Sequence, residues 1–411
     1  MRILHLISSL DPAYGGPPVV AASLASAQAQ LGHHVALATI DQPERRELIC
    51  RAMERVPGFS GIDIHWLKPR WLKAIKLVEN LLIPSATKPL SDLIGEAEMV
   101  HLHGVWDVLI YAAARECRRS DRSYCVVLHG MLDPWQLQQK YWKKKLAFVL
   151  GYRKMLDRAA ILHVLNEDER RLIEPLKLAA PSAIIPNGIF FEEVESLPSR
   201  GHFYAKHPEL KQRPFVLFLS RLHYKKGLDF LADAFKIAAS QCPDVQLVVA
   251  GPDGGEKEPL ERRIAQAGLQ DRVHVVGPIY GPDKFAALVD CACFCLPSRQ
   301  EGFSMAIIEA LACGAPVVIS EGCHFPEVAE AGAGAVVPLD APTISKALVR
   351  VIADADLRNR MGQLGRELVR SRYTWLKIAE QSIDAYQRIG KTHEHGRTPN
   401  QAITPGGRCL F

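Results

Sequence analysis

The fold is decided by one stretch of sequence, Pro297-Ser-Arg-Gln-Glu301-Gly-Phe-Ser-Met-Ala-Ile-Ile-Glu309-Ala310. It follows the apolar run Ala292–Leu296, which is typical of a buried strand, and it leads into a helical run. Gly302 permits an unusual backbone turn between the two. The segment Phe303–Met305 would then lie at the helix N-terminus, where free N–H groups and the positive end of the helix dipole favour a phosphate.

Two carboxylates flank this turn. Glu301 lies before the helix and Glu309 lies within it, so the two side chains could reach different parts of one ligand. A pair of glutamates at this spacing is also common by chance, and the pair alone does not identify a ligand.

Strands and helices alternate on both sides of this stretch. The second half of the chain has strand-like runs at Phe215–Ser220, Val245–Ala250, Val273–Val276, Ala292–Leu296 and Pro316–Ser320. The first half has a similar series at Arg2–Ser8, His34–Ile40, Met99–His103, Tyr124–His129, Ala160–Leu165 and Ala183–Ile185. Because helical runs separate these strands, the pattern predicts an α/β protein with two doubly wound, Rossmann-like domains.

The boundaries follow from this alternation. We expect an N-terminal domain over residues 1–191, a polar linker over 192–213 and a C-terminal domain over 214–373. A long helical run, 374–389, closes the fold, and the Gly- and Pro-containing residues 390–411 are expected to be a disordered tail.

Composition excludes several classes of protein. The chain has 411 residues, 48% of them hydrophobic and 23% charged, with a net charge of +5, so fibrous, disordered and nucleic-acid-binding classes are disfavoured. Its ten cysteines include no C-x-x-C pair, which favours free thiols in a reducing compartment. No apolar run is long enough to cross a membrane, and Asp11-Pro12 interrupts the apolar start of the chain. We therefore expect a cytoplasmic protein.

Two further segments have the composition of an anion site. Gly15-Gly16 follows the first strand, where two adjacent glycines let a ligand approach the backbone closely; an ordinary strand-to-helix turn explains them equally well. Arg221 and Lys226 follow the strand Phe215–Ser220, and two cations at a strand's carboxyl end suit a diphosphate. A solvated basic turn is the alternative.

Taken together and in order, these motifs resemble the retaining GT-B glycosyltransferases of family 4, also called glycosyltransferase group 1. The resemblance covers residues 1–390 and rests on Gly15-Gly16, His129-Gly130, Pro186-Asn187-Gly188, Arg221 with Lys226-Gly227, and Glu301-x7-Glu309. It implies two domains facing each other across a cleft, with a C-terminal helix that crosses back to the N-terminal domain.

The resemblance also implies how a nucleotide sugar would bind to the C-terminal domain. Arg221 and Lys226 would neutralise the diphosphate, and Glu309 would bind the ribose hydroxyls. The backbone at Pro278 and Ile279 would contact the base. The loop and helix N-terminus would hold the phosphates through Gly302, Phe303, Ser304 and Met305. Ser304 stands where many members have Gly or Pro, which leaves the donor sugar open.

The reacting centre is implied in the same way. Glu301 would bind hydroxyls of the transferred sugar, and His129 would lie beside that sugar and stabilise charge. Gly15 and Gly16 would approach the phosphate from the N-terminal domain. No carboxylate is placed as a covalent nucleophile, so the resemblance implies front-face attack by the acceptor hydroxyl.

The implied activity is retaining hexosyl transfer to a hydroxyl acceptor, without a metal or other cofactor. Residues 129–135 resemble a branch that acts on surface polysaccharides, so an oligosaccharide or lipid-linked acceptor is expected. A nucleotide-sugar epimerase and an inert nucleotide-sugar-binding protein are the alternatives. The one D-x-D sequence, Asp354-Ala-Asp356, lies in a polar helical stretch and predicts a surface helix instead of a metal site.

Residues 135–158 suggest a peripheral membrane contact. The segment carries seven lysines and arginines, and Trp135, Trp142, Leu146 and Val149 recur at near-helical spacing. A basic helix with an aromatic face suits an anionic membrane surface, where a lipid-linked acceptor would be found. A helix that packs on the N-terminal core with a solvated basic side is the alternative.

Overall fold

The computed structural model describes residues 1–68, 88–195 and 197–395, which form two domains built on parallel sheets. The N-terminal sheet has seven strands in the order β3-β2-β1-β4-β5-β6-β7. They are β1 (Arg2–Leu6), β2 (His34–Ile40), β3 (Asp63–Leu67), β4 (Met99–His103), β5 (Tyr124–Val127), β6 (Ile161–Val164) and β7 (Ser182–Ile184).

Helices cover both faces of this sheet. They are α1 (Gly16–Gln30), α2 (Arg46–Met53), α3 (Lys88–Glu96), α4 (Val108–Arg119), α5 (Pro134–Gln138), α6 (Tyr141–Ala147), α7 (Arg153–Asp157) and α8 (Glu167–Ile173). Side chains fix where they begin: Asp107 accepts a hydrogen bond from the first turn of α4, and Asn166 accepts one from the first turn of α8.

The C-terminal sheet has six strands in the equivalent order β10-β9-β8-β11-β12-β13. They are β8 (Phe215–Leu219), β9 (Gln246–Ala250), β10 (Val273–Gly277), β11 (Cys293–Leu296), β12 (Val317–Ser320) and β13 (Gly334–Val337). The helices are α9 (His202–Lys206), α10 (Leu228–Gln241), α11 (Lys257–Gln266), α12 (Gly281–Asp290), α13 (Met305–Ala312), α14 (Glu327–Glu330), α15 (Ala341–Ala353) and α16 (Ala355–Arg372). The two doubly wound domains agree with the sequence prediction.

The last helix, α17 (Trp375–His395), returns to the N-terminal domain and packs against α1. Its residues Trp375, Ile378, Ala379, Ile383 and Tyr386 are buried in the N-terminal core. The chain crosses at Gly188, where a Cβ would lie 2.8 Å from the backbone nitrogen of Trp375. The predicted crossover helix is therefore present, but it extends six residues beyond the expected end at 389; residues 396–411 lie outside the described residues.

The expected linker needs a correction. Residues 192–213 are not a free connection, because Val194, Phe203 and Leu210 are buried in the C-terminal core and α9 packs against α12. Asp290 accepts hydrogen bonds from the backbone of Gly201 and Phe203 at 2.7 and 2.8 Å, which anchors this segment further. The composition was polar, but three well-spaced apolar side chains were enough to attach it.

The segment 135–158 is not one helix. It comprises α5, α6, a π-helical turn at Phe148–Tyr152, and α7. Gly151 breaks the helical path with a φ of 124°, and a Cβ there would lie 2.5 Å from the Tyr111 hydroxyl oxygen. Close packing of the backbone on Tyr111 therefore replaces the regular spacing that the sequence suggested.

Candidate active site

The segments singled out in the sequence lie at the carboxyl ends of the two sheets, and those at Gly130 and Gly302 come together. Each follows the carboxyl end of a strand: Gly15 after β1, His129 after β5, Arg221 after β8, Pro278 after β10 and Glu301 after β11. A Cβ built on Gly130 would lie 3.9 Å from the Cα of Gly302, so the two domains approach each other through glycine backbone. This is the position at which doubly wound folds bind ligands.

Lys226 and Glu301 form the central ion pair of the C-terminal side. The Lys226 Nζ lies 2.6 and 2.7 Å from the two carboxylate oxygens of Glu301, and the Ser298 hydroxyl donates to the same carboxylate. The Glu301 side chain is 8% exposed and that of Lys226 is 20% exposed. A partly desolvated pair of this kind is held firmly, and it places an ammonium group beside a carboxylate that can accept hydroxyl donors.

Neighbouring contacts fix the loop that carries Glu301. The Arg299 backbone N–H donates to the Lys225 carbonyl at 2.7 Å, and its guanidinium pairs with Asp229 at 2.6 Å. Gly227 has a φ of 66°, and a Cβ there would lie 1.9 Å from the Pro297 carbonyl oxygen. Only glycine allows this close approach, which holds the Lys226 and Glu301 segments side by side.

Glu309 has a different partner. It lies on α13 and accepts a hydrogen bond from the Lys284 Nζ on α12 at 2.8 Å. Burial disfavours the Lys284 ammonium, but the carboxylates of Glu309 and Glu193 outweigh burial and raise the pKa of Lys284. Burial also raises the pKa of Glu193 to about 7, with Lys284 opposing and Glu309 adding to the shift. Sequence reasoning missed Lys284 and Glu193 because no local pattern connects them to Glu309.

Arg221 and the N-terminus of α13 are the features predicted to bind an anion. Arg221 is solvent-exposed and makes no ion pair within the described residues. Ser304 precedes α13 without using its side chain as a cap, so the first N–H groups of this helix keep their usual lack of an intrahelical partner. The Phe303 ring packs against Phe325 and Tyr373, which anchors this turn from behind.

The remaining predicted contacts lie at the rim. Pro278 is exposed and follows Gly277 at the end of β10, while Ile279 packs on the C-terminal core. On the N-terminal side Gly15 has a φ of 96°, and a Cβ added to either Gly15 or Gly16 would meet no atom within 4 Å. The strand-to-helix turn at Gly15 and Gly16 therefore leaves room for a ligand.

His129 adopts a left-handed backbone conformation with a φ of 49°, which is uncommon for a residue other than glycine. Glu169 supports the turn, because its carboxylate accepts the N–H of Gly130 and that of Leu165, both at 2.6 Å. Burial raises the pKa of Glu169 to about 7 although these two N–H groups oppose the shift. Backbone strain held by a buried carboxylate is typical of a functional site.

Several side chains join the two domains, and apart from Asp133 and Trp135, which lie in the segment 129–135, the sequence did not single them out. Asn166 donates to the Gly302 carbonyl at 2.7 Å, and His324 pairs with Asp168 at 3.0 Å. The Lys225 ammonium lies 3.5 Å from the centre of the Trp135 ring, and Gln300 donates to Asp133. We call this set the interdomain contacts; it comprises Asp133, Trp135, Asn166, Asp168, Lys225, Gln300 and His324.

The structure also bears on the D-x-D sequence at Asp354 and Asp356 and on membrane-spanning helices. Asp354 caps α16 by accepting the Leu357 N–H at 2.8 Å, and Asp356 is exposed, so this D-x-D lies on a surface helix as predicted. In the part of the chain that the structure describes, each helix is too short or too polar to span a bilayer.

Family models match both domains. The model described as glycosyl transferase 4-like domain matches residues 15–188, and the model described as glycosyl transferases group 1 matches residues 200–368. The chain belongs to glycosyltransferase group 1, family 4.

Characterised relatives are similar over part of their length. A phosphatidyl-myo-inositol mannosyltransferase of Mycobacterium leprae is 30% identical over 267 residues, which is 64% of this chain and 63% of that protein. The gpi3 subunit of phosphatidylinositol N-acetylglucosaminyltransferase from Schizosaccharomyces pombe is 25% identical over 71% of this chain and 61% of the relative. The alignments thus span less than two thirds of these relatives.

Solved structures share the fold. Anabaena HepE in complex with UDP and glucose matches with a TM-score of 0.72 and 18% identity, over 94% of this chain and all of that one. Sucrose-phosphate synthase from Thermosynechococcus elongatus matches with a TM-score of 0.69 and 21% identity, over 95% of this chain and all of that one. The architecture is therefore GT-B, as the sequence predicted.

Proposed function

We propose that this protein transfers a hexose from a nucleoside diphosphate sugar to a hydroxyl acceptor, with retention of anomeric configuration and without a metal ion. The observation that carries the proposal is the Lys226–Glu301 pair beside the close approach of Gly130 and Gly302, at the carboxyl ends of strands from both sheets. A cation, a helix N-terminus and a desolvated carboxylate there suit the diphosphate and the sugar of one donor.

The donor would lie along the C-terminal domain. Arg221, Lys226 and the N-terminus of α13 would neutralise the diphosphate, because each offers positive potential toward the cleft. Glu309, which already accepts from Lys284, keeps acceptor capacity for ribose hydroxyls. Pro278 and Ile279 would border the base.

The chemical step that we propose is the front-face attack that the family resemblance implies. The acceptor oxygen forms a bond to the anomeric carbon on the face that the leaving group vacates. The bond from that carbon to the phosphate oxygen breaks, its electron pair goes to the nucleoside diphosphate, and the acceptor proton passes to the leaving phosphate oxygen. Preorganised cations stabilise the developing negative charge, and Glu301 and His129 would hold the sugar as its ring gains positive character.

Turnover separates this proposal from its two rivals. Release of UDP, GDP or ADP from the matching sugar donor, dependent on acceptor and unchanged in saturating EDTA, is expected of the transferase. An epimerase would convert the donor sugar without an acceptor, and an inert binding protein would bind without turnover. The anomeric proton of the product, observed by NMR, reports retention; inversion or strict metal dependence would refute the mechanism.

We propose further that the acceptor is a lipid-linked hydroxyl at an anionic membrane surface. The relatives named above act, by their names, on phosphatidylinositol lipids. Residues 135–158 support the same partner, because they expose large apolar side chains, with Trp142 75% and Val149 79% exposed. Lys140, Lys143 and Lys144 lie among them, and Trp135 joins this surface to the cleft through Lys225.

Co-sedimentation with phosphatidylglycerol vesicles tests this surface. Binding should fall when Trp142 and Val149 are both replaced by Ser, and it should also fall when Lys143, Lys144 and Lys145 are replaced by Gln. Leu364→Ser on α16 is the matched control, because Leu364 is an exposed apolar residue on the other domain. Binding that survives both sets of changes would exclude the surface and leave soluble oligosaccharide as the acceptor class.

A further inference from the structure

Four buried histidines lie on one face of the N-terminal sheet. His101 and His103 alternate along β4, His5 pairs with His101 across β1, and His163 lies on β6. Each is at most 4% exposed. Helices α1 and α17 cover this face, so the histidine side chains lie inside the core that the two helices complete.

Two series of hydrogen bonds, here called arms, run through these histidines. The first arm begins at a backbone carbonyl, which can only accept a hydrogen bond. The Ile185 carbonyl lies 2.6 Å from His163 Nε2, so His163 carries its proton on Nε2 and its Nδ1 is an acceptor. His101 Nε2 lies 3.3 Å from that Nδ1 and must donate to it. His101 Nδ1 is then an acceptor as well, and the Tyr386 hydroxyl of α17 donates to it.

A second arm is directed by α17 through Gln28. The Ser382 hydroxyl donates to the Ala379 carbonyl at 2.6 Å, so it can only accept from Gln28, whose Nε2 lies 2.8 Å away. Gln28 therefore presents its oxygen to His5 Nε2 at 2.7 Å, which makes that nitrogen the donor.

The second arm continues to the site. His5 Nδ1 is an acceptor, and His103 Nε2, which lies 2.9 Å away, donates to it. His103 is thus left with a lone pair on Nδ1. Burial keeps these histidines neutral, since it lowers the pKa of His5 and of His163 to about 4 and that of His103 well below its usual range.

The arm ends beside His129. The rings of His103 and His129 stack with centroids 5.7 Å apart and an angle of 22° between their planes. His103 Nδ1 and His129 Nε2 are two of the few side-chain atoms that are buried without a hydrogen-bond partner among the described residues. No hydrogen bond joins the two atoms, so the coupling between these rings is electrostatic: two lone pairs turned toward each other repel, whereas a lone pair and an N–H group attract.

We propose that His103 is a positioning residue for His129. The arm from α17 makes His103 present an acceptor, which selects the His129 tautomer with its proton on Nε2 and leaves His129 Nδ1 to accept a hydroxyl of the bound sugar. This role rests on the proposed function, but the tautomers exist in the free protein and are measurable without any substrate.

Nitrogen NMR of ¹⁵N-histidine-labelled protein measures the tautomers of these histidines directly. His5, His101, His103, His129 and His163 should all be neutral and carry their proton on Nε2 at pH 7. If these tautomers are observed but the transferase assay fails, the proposed function is refuted while the hydrogen-bonded series of histidines is confirmed. Proton placement on Nδ1 of His103 would overturn the inference, as would one equivalent of zinc held by His5, His101 and His103, whose ligand atoms lie within 4.8 Å of one another.

A variant and its matched control test whether the hydrogen-bonded histidines affect turnover. Gln28→Leu should release the tautomers of His5, His103 and His129 and lower kcat roughly three- to tenfold, the effect of one hydrogen bond, with KM for the donor unchanged. Gln246→Leu is the matched control, because Gln246 is a buried glutamine bonded to His274 at 3.0 Å in the other domain. It should leave kcat and these tautomers unchanged.

A third variant separates the two arms. Tyr386→Phe removes the donor to His101 but leaves Gln28 its bond to Ser382, so the His101 signal should change while His103, His129 and kcat do not. If Gln28→Leu fails to fold, Ser382→Ala supplies the same release of Gln28 with a smaller change. An unaltered His129 tautomer and kcat in a folded variant whose His103 tautomer has changed would overturn the positioning role.

Discussion

The two sheets share one topology but carry opposite chemistry in their polar clusters. The C-terminal sheet ends in ion pairs, Lys226 with Glu301 and, on its adjoining helices, Lys284 with Glu309. The N-terminal sheet is lined by neutral histidines that bond to one another and to α17. The difference shows two ways of keeping polar groups in a core: charges are buried in pairs, and imidazoles are buried uncharged.

The two solutions suit different tasks. Under the proposed function, the cations of the C-terminal side would meet the charge of a diphosphate. The uncharged histidines of the N-terminal side would offer hydrogen-bonding atoms of fixed direction to the hydroxyl groups of the sugar. The following predictions test this contrast.

Removing a charge from the C-terminal side should have the largest effect. Lys226→Ala is expected to lower kcat by about 10²–10³, the usual cost of losing one group that stabilises a developing anion. Lys346→Ala, at an exposed position on α15, is the control and should leave turnover unchanged. Because Glu301 loses its partner, the melting temperature must be measured as well; a folded variant with normal kcat would break the contrast.

Acid should weaken the N-terminal domain selectively. Burial lowers the pKa of His5 and His163 to about 4 in the folded state, below the ordinary value of 6.5, so the unfolded chain binds more protons. Stability from these groups is present above pH 6.5 and is lost as pH falls toward 4. Each should cost on the order of 2 kcal/mol of unfolding free energy between pH 7 and pH 5.

Tryptophan fluorescence can follow this loss during urea unfolding. All six tryptophans lie in the first 142 residues or at position 375, so the signal reports the N-terminal domain and α17. His5→Asn should reduce the dependence of unfolding free energy on pH, whereas His202→Asn, at an exposed position, should not. Equal pH dependence in both variants would contradict the assignment of neutral buried imidazoles.

Glu309→Gln should weaken nucleotide binding more than it slows transfer. The amide keeps one acceptor but loses the charge that faces Lys284, and a charge-assisted hydrogen bond contributes about 1.5–3 kcal/mol, which corresponds to at least a tenfold rise in the Kd of the nucleoside diphosphate. Calorimetric titration measures this rise. Glu258→Gln on the exposed surface of α11 is the control.

The interdomain contacts should give the smallest effect. Asn166→Ser keeps a side chain that can cap α8 but removes the hydrogen bond to the Gly302 carbonyl, and it is expected to raise KM for the donor several-fold with little change in kcat, in keeping with one hydrogen bond of about 1 kcal/mol. Steady-state kinetics with varied donor checks it. A large fall in kcat instead would mean that Asn166 touches the reacting centre.

Sequence predicted the fold from its apolar runs, but it missed two of the four edge strands, β3 and β13. The half-buried β3, Asp63–Leu67, contains Asp63 and His65 and does not form an apolar run. The four-residue β13 begins at Gly334, which weakens its strand signal. The central strands are buried on both faces and were evident, because burial on both faces requires an apolar sequence.

The site was predictable only where residues lie close in sequence. Glu301, Glu309 and the turn between them form one local motif, and that motif was sufficient to place them. Lys284, Glu193 and Glu169 reach the site from other elements, and nothing in their own surroundings marks them. His101 and His103 alternate along β4 and therefore share a face, but their partners His5 and Tyr386 depend on strand register and on a helix 285 residues away from His101.

The return of α17 has a consequence for synthesis on the ribosome. The N-terminal core is completed by Trp375, Ile378, Ala379, Ile383 and Tyr386, although the rest of that core ends at Phe190. At 5–20 residues per second the ribosome needs roughly 10–40 s to reach α17 after finishing residue 191. The domain that is synthesised first is therefore completed last. Until α17 has been synthesised, the histidine face of that domain and the apolar side of α1 must be shielded from solvent by chaperones or by transient collapse of the chain.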